Sequence, residues 1–99
     1  MPNNILPEEK EILHSIESEY GFIISEKENI QNTVGFKLEE GKVVALGLCR
    51  KKITNIKNIC KLKNLEILDL SQNNIINIPD EVKLLKKLKS LRLAGNSLT

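Results

Sequence analysis

The side chains that could act as nucleophiles, bases or metal ligands are few and widely separated in this 99-residue chain. Cys49 and Cys60 have no His or second Cys at ligand or catalytic spacing, and the single His14 lies far from both in sequence. Serines and acids are present, but no spacing pairs a nucleophile with its base. One His without a Cys-rich cluster argues against a zinc site. Gly35, Gly41 and Gly47 fall in a hairpin context and do not form a phosphate loop. The expectation is therefore no enzyme, no cofactor and no metal. Two basic clusters remain: Arg50, Lys51 and Lys52, then Lys83, Lys86, Lys87 and Lys89. No aromatic side chains interleave with either, so bases would have no platform to stack on. These lysines read as solvated charge that keeps the chain soluble. Electrostatic binding of nucleic acid or an anionic membrane is the less favoured alternative.

Composition narrows the class further. Hydrophobic residues are 40% and charged residues 28%, ordinary for a globular domain. The apolar set is unusual: 15 Leu and 13 Ile stand against 2 Phe, 1 Tyr and no Trp. Many similar aliphatic pegs build such a core, not a few aromatic anchors. No apolar run approaches the ~18 residues of a membrane span. Pro2, Asn3 and Asn4 followed by a short apolar pair do not form a secretory leader. Two cysteines are too few for a disulfide scaffold and suit a reducing compartment, so a cytoplasmic location is expected.

Charge divides the chain. Residues 1–41 carry nine acidic and three basic side chains; residues 42–99 carry four acidic and twelve basic. The change at Gly41 marks a boundary between two units, 1–42 and 43–99. In the first, Pro7, Glu8 and Glu9 suit a helix start and Gly21 a stop. Ile12, Leu13, Ile16 and Tyr20 form one apolar arc over 7–20, with His14 turned away from it. Phe22, Ile23 and Ile24 could be a short strand or a buried extended segment. Phe36–Leu38, a turn at Gly41, and Val43–Leu48 read as a hairpin.

The second unit repeats itself. Val43 to Ile53, Leu65 to Ile75 and Leu88 to Leu98 share apolar residues at the first, fourth, sixth and eleventh places. Asn73 and Asn96 occupy the ninth place, where the first copy has Lys51. Between copies, Ile53, Ile56, Ile59, Leu62 and Leu65 continue at steps of three, as 3₁₀ or irregular turns would require. Each Leu-x-Leu core predicts a short strand with both leucines inward. Each Asn is the natural group to satisfy backbone at a buried bend. One coil cannot bury its own pegs, but stacked coils share one aliphatic core and pair their strands in parallel.

Leu65-x-x-Leu68-x-Leu70-x-x-Asn73-x-Ile75 and its counterpart through Leu98 resemble the leucine-rich repeat family. The resemblance implies an α/β solenoid, a right-handed superhelix of coils 43–64, 65–87 and an incomplete 88–99. It also implies an N-terminal capping helix and hairpin of the intracellular type. Family members mostly bind proteins through the concave strand face. Here that face would comprise Ala45, Gly47, Ile67, Asp69, Ser90 and Arg92, with Cys49, Ser71 and Ala94 beyond them. Asp69 and Arg92, at equivalent places on adjacent coils, are expected to pair laterally. Cys49 on the strand side and Cys60 on the return side lie too far apart to bridge. The pattern stops just after the third bend, which leaves Leu91, Leu93 and Leu98 on an open edge. That edge implies a fragment of a longer array or completion by a second copy in a homodimer.

Overall fold

The computed structural model describes residues 5–98; Pro2, Asn3 and Asn4, with Met1 and Thr99, lie outside the described residues. Helix α1 is Pro7–Tyr20. The strands are β1 (Val34–Glu39), β2 (Lys42–Leu48), β3 (Ile67–Asp69) and β4 (Ser90–Arg92), with 3₁₀ turns at Ile59–Lys61 and Asp80–Leu84. They form one sheet in the order β1-β2-β3-β4. β1 and β2 are antiparallel; β2–β3 and β3–β4 are parallel.

The repeat period fixes the sheet register. Leu46 sits opposite Leu68, and Leu68 opposite Leu91. The pegs of the first two coils, Val43, Leu46, Leu48, Ile53, Leu65, Leu68, Leu70 and Ile75, are wholly buried. The return pegs Ile56, Ile59 and Leu62 join them in one cluster. Each such side chain stabilises the fold by about 1.5–3 kcal/mol relative to exposure. The result is a solenoid-type stack seen as one helix and a small four-stranded sheet; so few coils display no superhelix.

The bends explain Lys51. Asn73 donates from Nδ2 to the carbonyls of Leu70 and Ser71 in its own coil and of Leu48 in the coil before. Its Oδ1 accepts from Lys51 N–H and Ile53 N–H, again in the preceding coil. Asn96 repeats this arrangement, donating to Leu93 and Leu70 and accepting from Ile75 N–H. Each Asn therefore braces the coil before it. The first coil has none before it, and Lys51 is free to place its ammonium 5.1 Å from the Phe22 ring centre.

The preceding segment closes the first coil. β1 covers the outer edge of β2, joined by a tight turn in which Glu40 and Gly41 both have positive φ. The strand runs from Val34 to Glu39, longer than the 36–38 core of the hairpin pattern, with a bulge after Lys37. Helix α1 buries Leu13 and Ile16 and half-buries Ile12 and Tyr20, while His14 is exposed. Tyr20 Oη accepts from the Thr54 and Asn55 N–H groups of the first return segment. The surprise is Glu9, buried on the same helix: its Oε1 accepts from Val43 N–H at 2.7 Å and its Oε2 from Asn64 Nδ2 at 3.0 Å. Lys87 Nζ in turn donates to Asn64 Oδ1 at 3.2 Å, so one polar chain ties the helix to the first and second coils. Phe22–Ile24 is not a strand: Ile24 is buried, Ile23 is exposed, and the next segment makes only an isolated bridge, Glu26 to Phe36.

Candidate interaction surface

Register sorts the outward side chains into two rows across the sheet. Lys37, Ala45, Ile67 and Ser90 form one; Gly35, Gly47, Asp69 and Arg92 form the other. Residues 25–33 lie along the second row as a strap. Gly35 and Gly47 leave a trough for it: a Cβ at Gly47 would stand 2.5 Å from the Ile30 carbonyl oxygen and 2.8 Å from that of Thr33. A Cβ at Gly35 would meet the Lys27 side chain at 2.8 Å and the Ser25 carbonyl at 3.0 Å. The strap is held by Asn32 N–H donating to Asp69 Oδ2 at 2.9 Å and by Cys49 N–H donating to the Thr33 carbonyl.

This corrects half of the expected concave surface. Ala45, Gly47 and Asp69 are buried, Gly47 and Asp69 against the strap, and Cys49 and Ser71 beside them are buried too. Of the six expected residues, Ile67 (42% exposed), Ser90 and Arg92 remain accessible, and Ala94 beyond them is exposed as well. The expected Asp69–Arg92 pair is also absent. Asp69, fully buried, turns to Asn32 and to the Ser71 N–H and hydroxyl, the latter at 2.7 Å. Burial alone would raise its pKa; the hydrogen bonds from Asn32, Ser71 and the Cys49 thiol outweigh that and hold it below the ordinary carboxylate range. Arg92 instead meets Gln31: with the amide oxygen turned toward it, Gln31 accepts from both terminal guanidinium nitrogens at 3.1 Å. Two outward glycines one strand apart, with an Asp next in the row, were the available sequence signal for the strap.

Between strap and sheet lies a groove of about 220 Å³, walled by Glu28–Gln31, floored by Ala45, Ile67 and Ser90, and bordered by Lys37 and Arg92.

The remaining candidates are placed as follows. Leu91 and Leu93 are half-buried and Leu98 is 41% exposed, at an edge where β4 has no outer strand among the described residues. Cys49 and Cys60 are buried free thiols. Burial pushes both thiols up, Cys60 to about 11. Neither is a ready nucleophile. Of the lysines, Lys87 holds Asn64, and Lys89 lies 3.7 Å from Glu66 as a surface pair. Among the described residues no group of three or more His, Cys, Asp or Glu could hold a metal ion. No helix among the described residues is long and apolar enough to cross a membrane.

The family model described as Leucine rich repeat matches residues 42–98. The chain belongs to the leucine-rich repeat family. No curated protein matches it. Leucine-rich repeat domains generally serve protein–protein interaction and are typically non-enzymatic. In this leucine-rich repeat chain the family match begins at Lys42, where β2 begins, so the helix, strap and β1 stand outside it.

Proposed function

We propose that the chain is a non-catalytic protein-binding unit, residues 1–42 serving as cap and 43–99 as array, that meets its partner on the uncovered strand face at Ile67, Ser90 and Arg92. The observation that carries this is the groove beside those residues, on a part of the strand face that the strap leaves open. Two buried free thiols support a reducing, cytoplasmic setting. In a longer array of the same coils the strands would wind into the right-handed superhelix, with this unit as its first turns.

A photo-crosslinking amino acid at Ser90 is expected to capture a protein partner, and Ile67→Arg to abolish that capture. Equal capture from Glu40, on the hairpin turn, or insensitivity to Ile67→Arg would overturn the reading. The unpaired outer side of β4 supports a second reading, homodimerisation through the third coil at Leu91, Leu93 and Leu98. Light scattering across a concentration series tests it: a mass fixed at one chain removes it.

A further inference from the structure

We infer that the groove selects an extended partner segment carrying an aliphatic residue and, two positions away, a carboxylate. This rests on the proposed use of the strand face and names the chemistry that face reads.

The floor sets the first requirement. Ile67 is exposed in the lining of the groove, with Ser90 next to it in the same row. An aliphatic side chain laid there removes apolar area from water on both partners. The second requirement comes from Arg92. With its amide oxygen turned toward Arg92, Gln31 meets the guanidinium with a neutral acceptor, which orients the group without neutralising its charge. Asp69, its neighbour in the row, is fully buried and directs its acceptors to Asn32 and Ser71 rather than to Arg92. No carboxylate lies within ion-pair distance of Arg92 or Lys37 among the described residues, while the one ion pair formed is Lys89–Glu66. A held guanidinium with free N–H donors is a carboxylate site, because its planar fork matches two carboxylate oxygens. Lys37 adds positive potential at the opposite border. Glu28 on the wall disfavours a run of several acids, so one carboxylate fits better than many.

Spacing sets the third requirement. Arg92 is one strand over from Ile67 and two residues along, which places their backbones roughly 8 Å apart on standard strand geometry. Residues i and i+2 of an extended chain point the same way and lie about 6.6 Å apart. An aliphatic-x-acid segment can therefore place one side chain on Ile67 and the other on Arg92.

The test uses three synthetic peptides, acetyl-Ser-Leu-Ser-Glu-Ser-amide, its Glu-to-Gln form and its Leu-to-Ala form, titrated into the ¹⁵N-labelled full chain to 10 mM. The Leu/Glu peptide is expected to shift the amides of Gln31, Ile67, Ser90 and Arg92, with the other two at least about five-fold weaker. In Arg92→Gln the Glu and Gln peptides should bind alike, whereas Lys63→Gln, on an exposed return segment, should leave the preference intact. If Glu and Gln peptides bind the wild-type groove equally while Ile67→Ser abolishes both, the carboxylate inference falls and the strand-face reading stands. If no groove amide moves with any peptide, the inference falls; if Ser90 also captures no partner, the strand-face reading falls with it.

Discussion

The first and third coils carry the same motif in opposite circumstances. Val43, Leu46, Leu48 and Ile53 are wholly buried, whereas Leu88, Leu91 and Leu93 are half-buried and Leu98 is exposed. Leucines at identical places, Leu46 and Leu91 or Leu48 and Leu93, thus have different burial. What differs is the neighbour. The first coil lies between β1 with helix α1 and the second coil; the third has a neighbour on one side only among the described residues. In a stack each coil's core is completed by the coils beside it, so a motif position has no fixed energetic weight.

The largest effect that would sharpen this comparison is in paired leucine truncations. Leu68→Ala, between two neighbours, should lose about 2–5 kcal/mol, and Leu91→Ala only about 1 kcal/mol, in urea unfolding. Equal losses would break it. The asparagines should divide the same way. Asn73→Ala strands groups in two coils and should cost about 3 kcal/mol, since each buried unsatisfied group costs about 1–3 kcal/mol. Asn96→Ala, at a less buried bend, should cost less.

The N-terminal helix should detach through its buried carboxylate. Glu9→Ala leaves Val43 N–H and Asn64 without their acceptor and should cost about 2–3 kcal/mol. Hydrogen exchange should then rise first in α1 and at Val43 rather than in β3. The strap offers a smaller contrast. Gly47→Ala drives a methyl against the Ile30 and Thr33 carbonyls and should cost about 1–3 kcal/mol, with exchange protection lost at Thr33 and Cys49 while β4 is unchanged.

Acid provides the smallest and most selective effect. Asp69 has a lowered folded pKa, so its contribution is complete above its unfolded value of about 3.9 and is lost as pH falls through the folded value. The strap should therefore loosen below about pH 4, seen as a shift of the Asn32 amide. Asp69→Asn should be less stable near neutral pH and show a flatter acid limb. An unchanged limb would remove Asp69 as the strap's anchor.

Much of the array was legible because its rule is local. The period of the leucines and isoleucines fixes which side chains turn inward, and Pro7 and Gly21 bound the helix through backbone geometry alone. The candidate surface was less legible. Alternation correctly placed Ala45, Gly47 and Asp69 on the outward face, but outward from the sheet proved different from exposed. The strap that covers Gly47 and Asp69 comes from residues 25–33, a polar stretch without periodicity, and nothing in its spacing names its landing site. Glu9 was hidden for a related reason. A glutamate in the first helical turn has a sufficient explanation in the helix dipole, and only the docked helix shows it reaching Val43 and Asn64.

The order of residues by itself determined the coil, its inward pegs and the strand register, because these follow from a repeated short-range pattern. Tertiary structure alone decided which copies of that pattern are closed, which outward residues remain open, and where Asp69 and Arg92 direct their charge. Those outcomes depend on contacts between segments more than thirty residues apart, such as Asn32 with Asp69 and Glu9 with Val43. No periodicity along the chain encodes them.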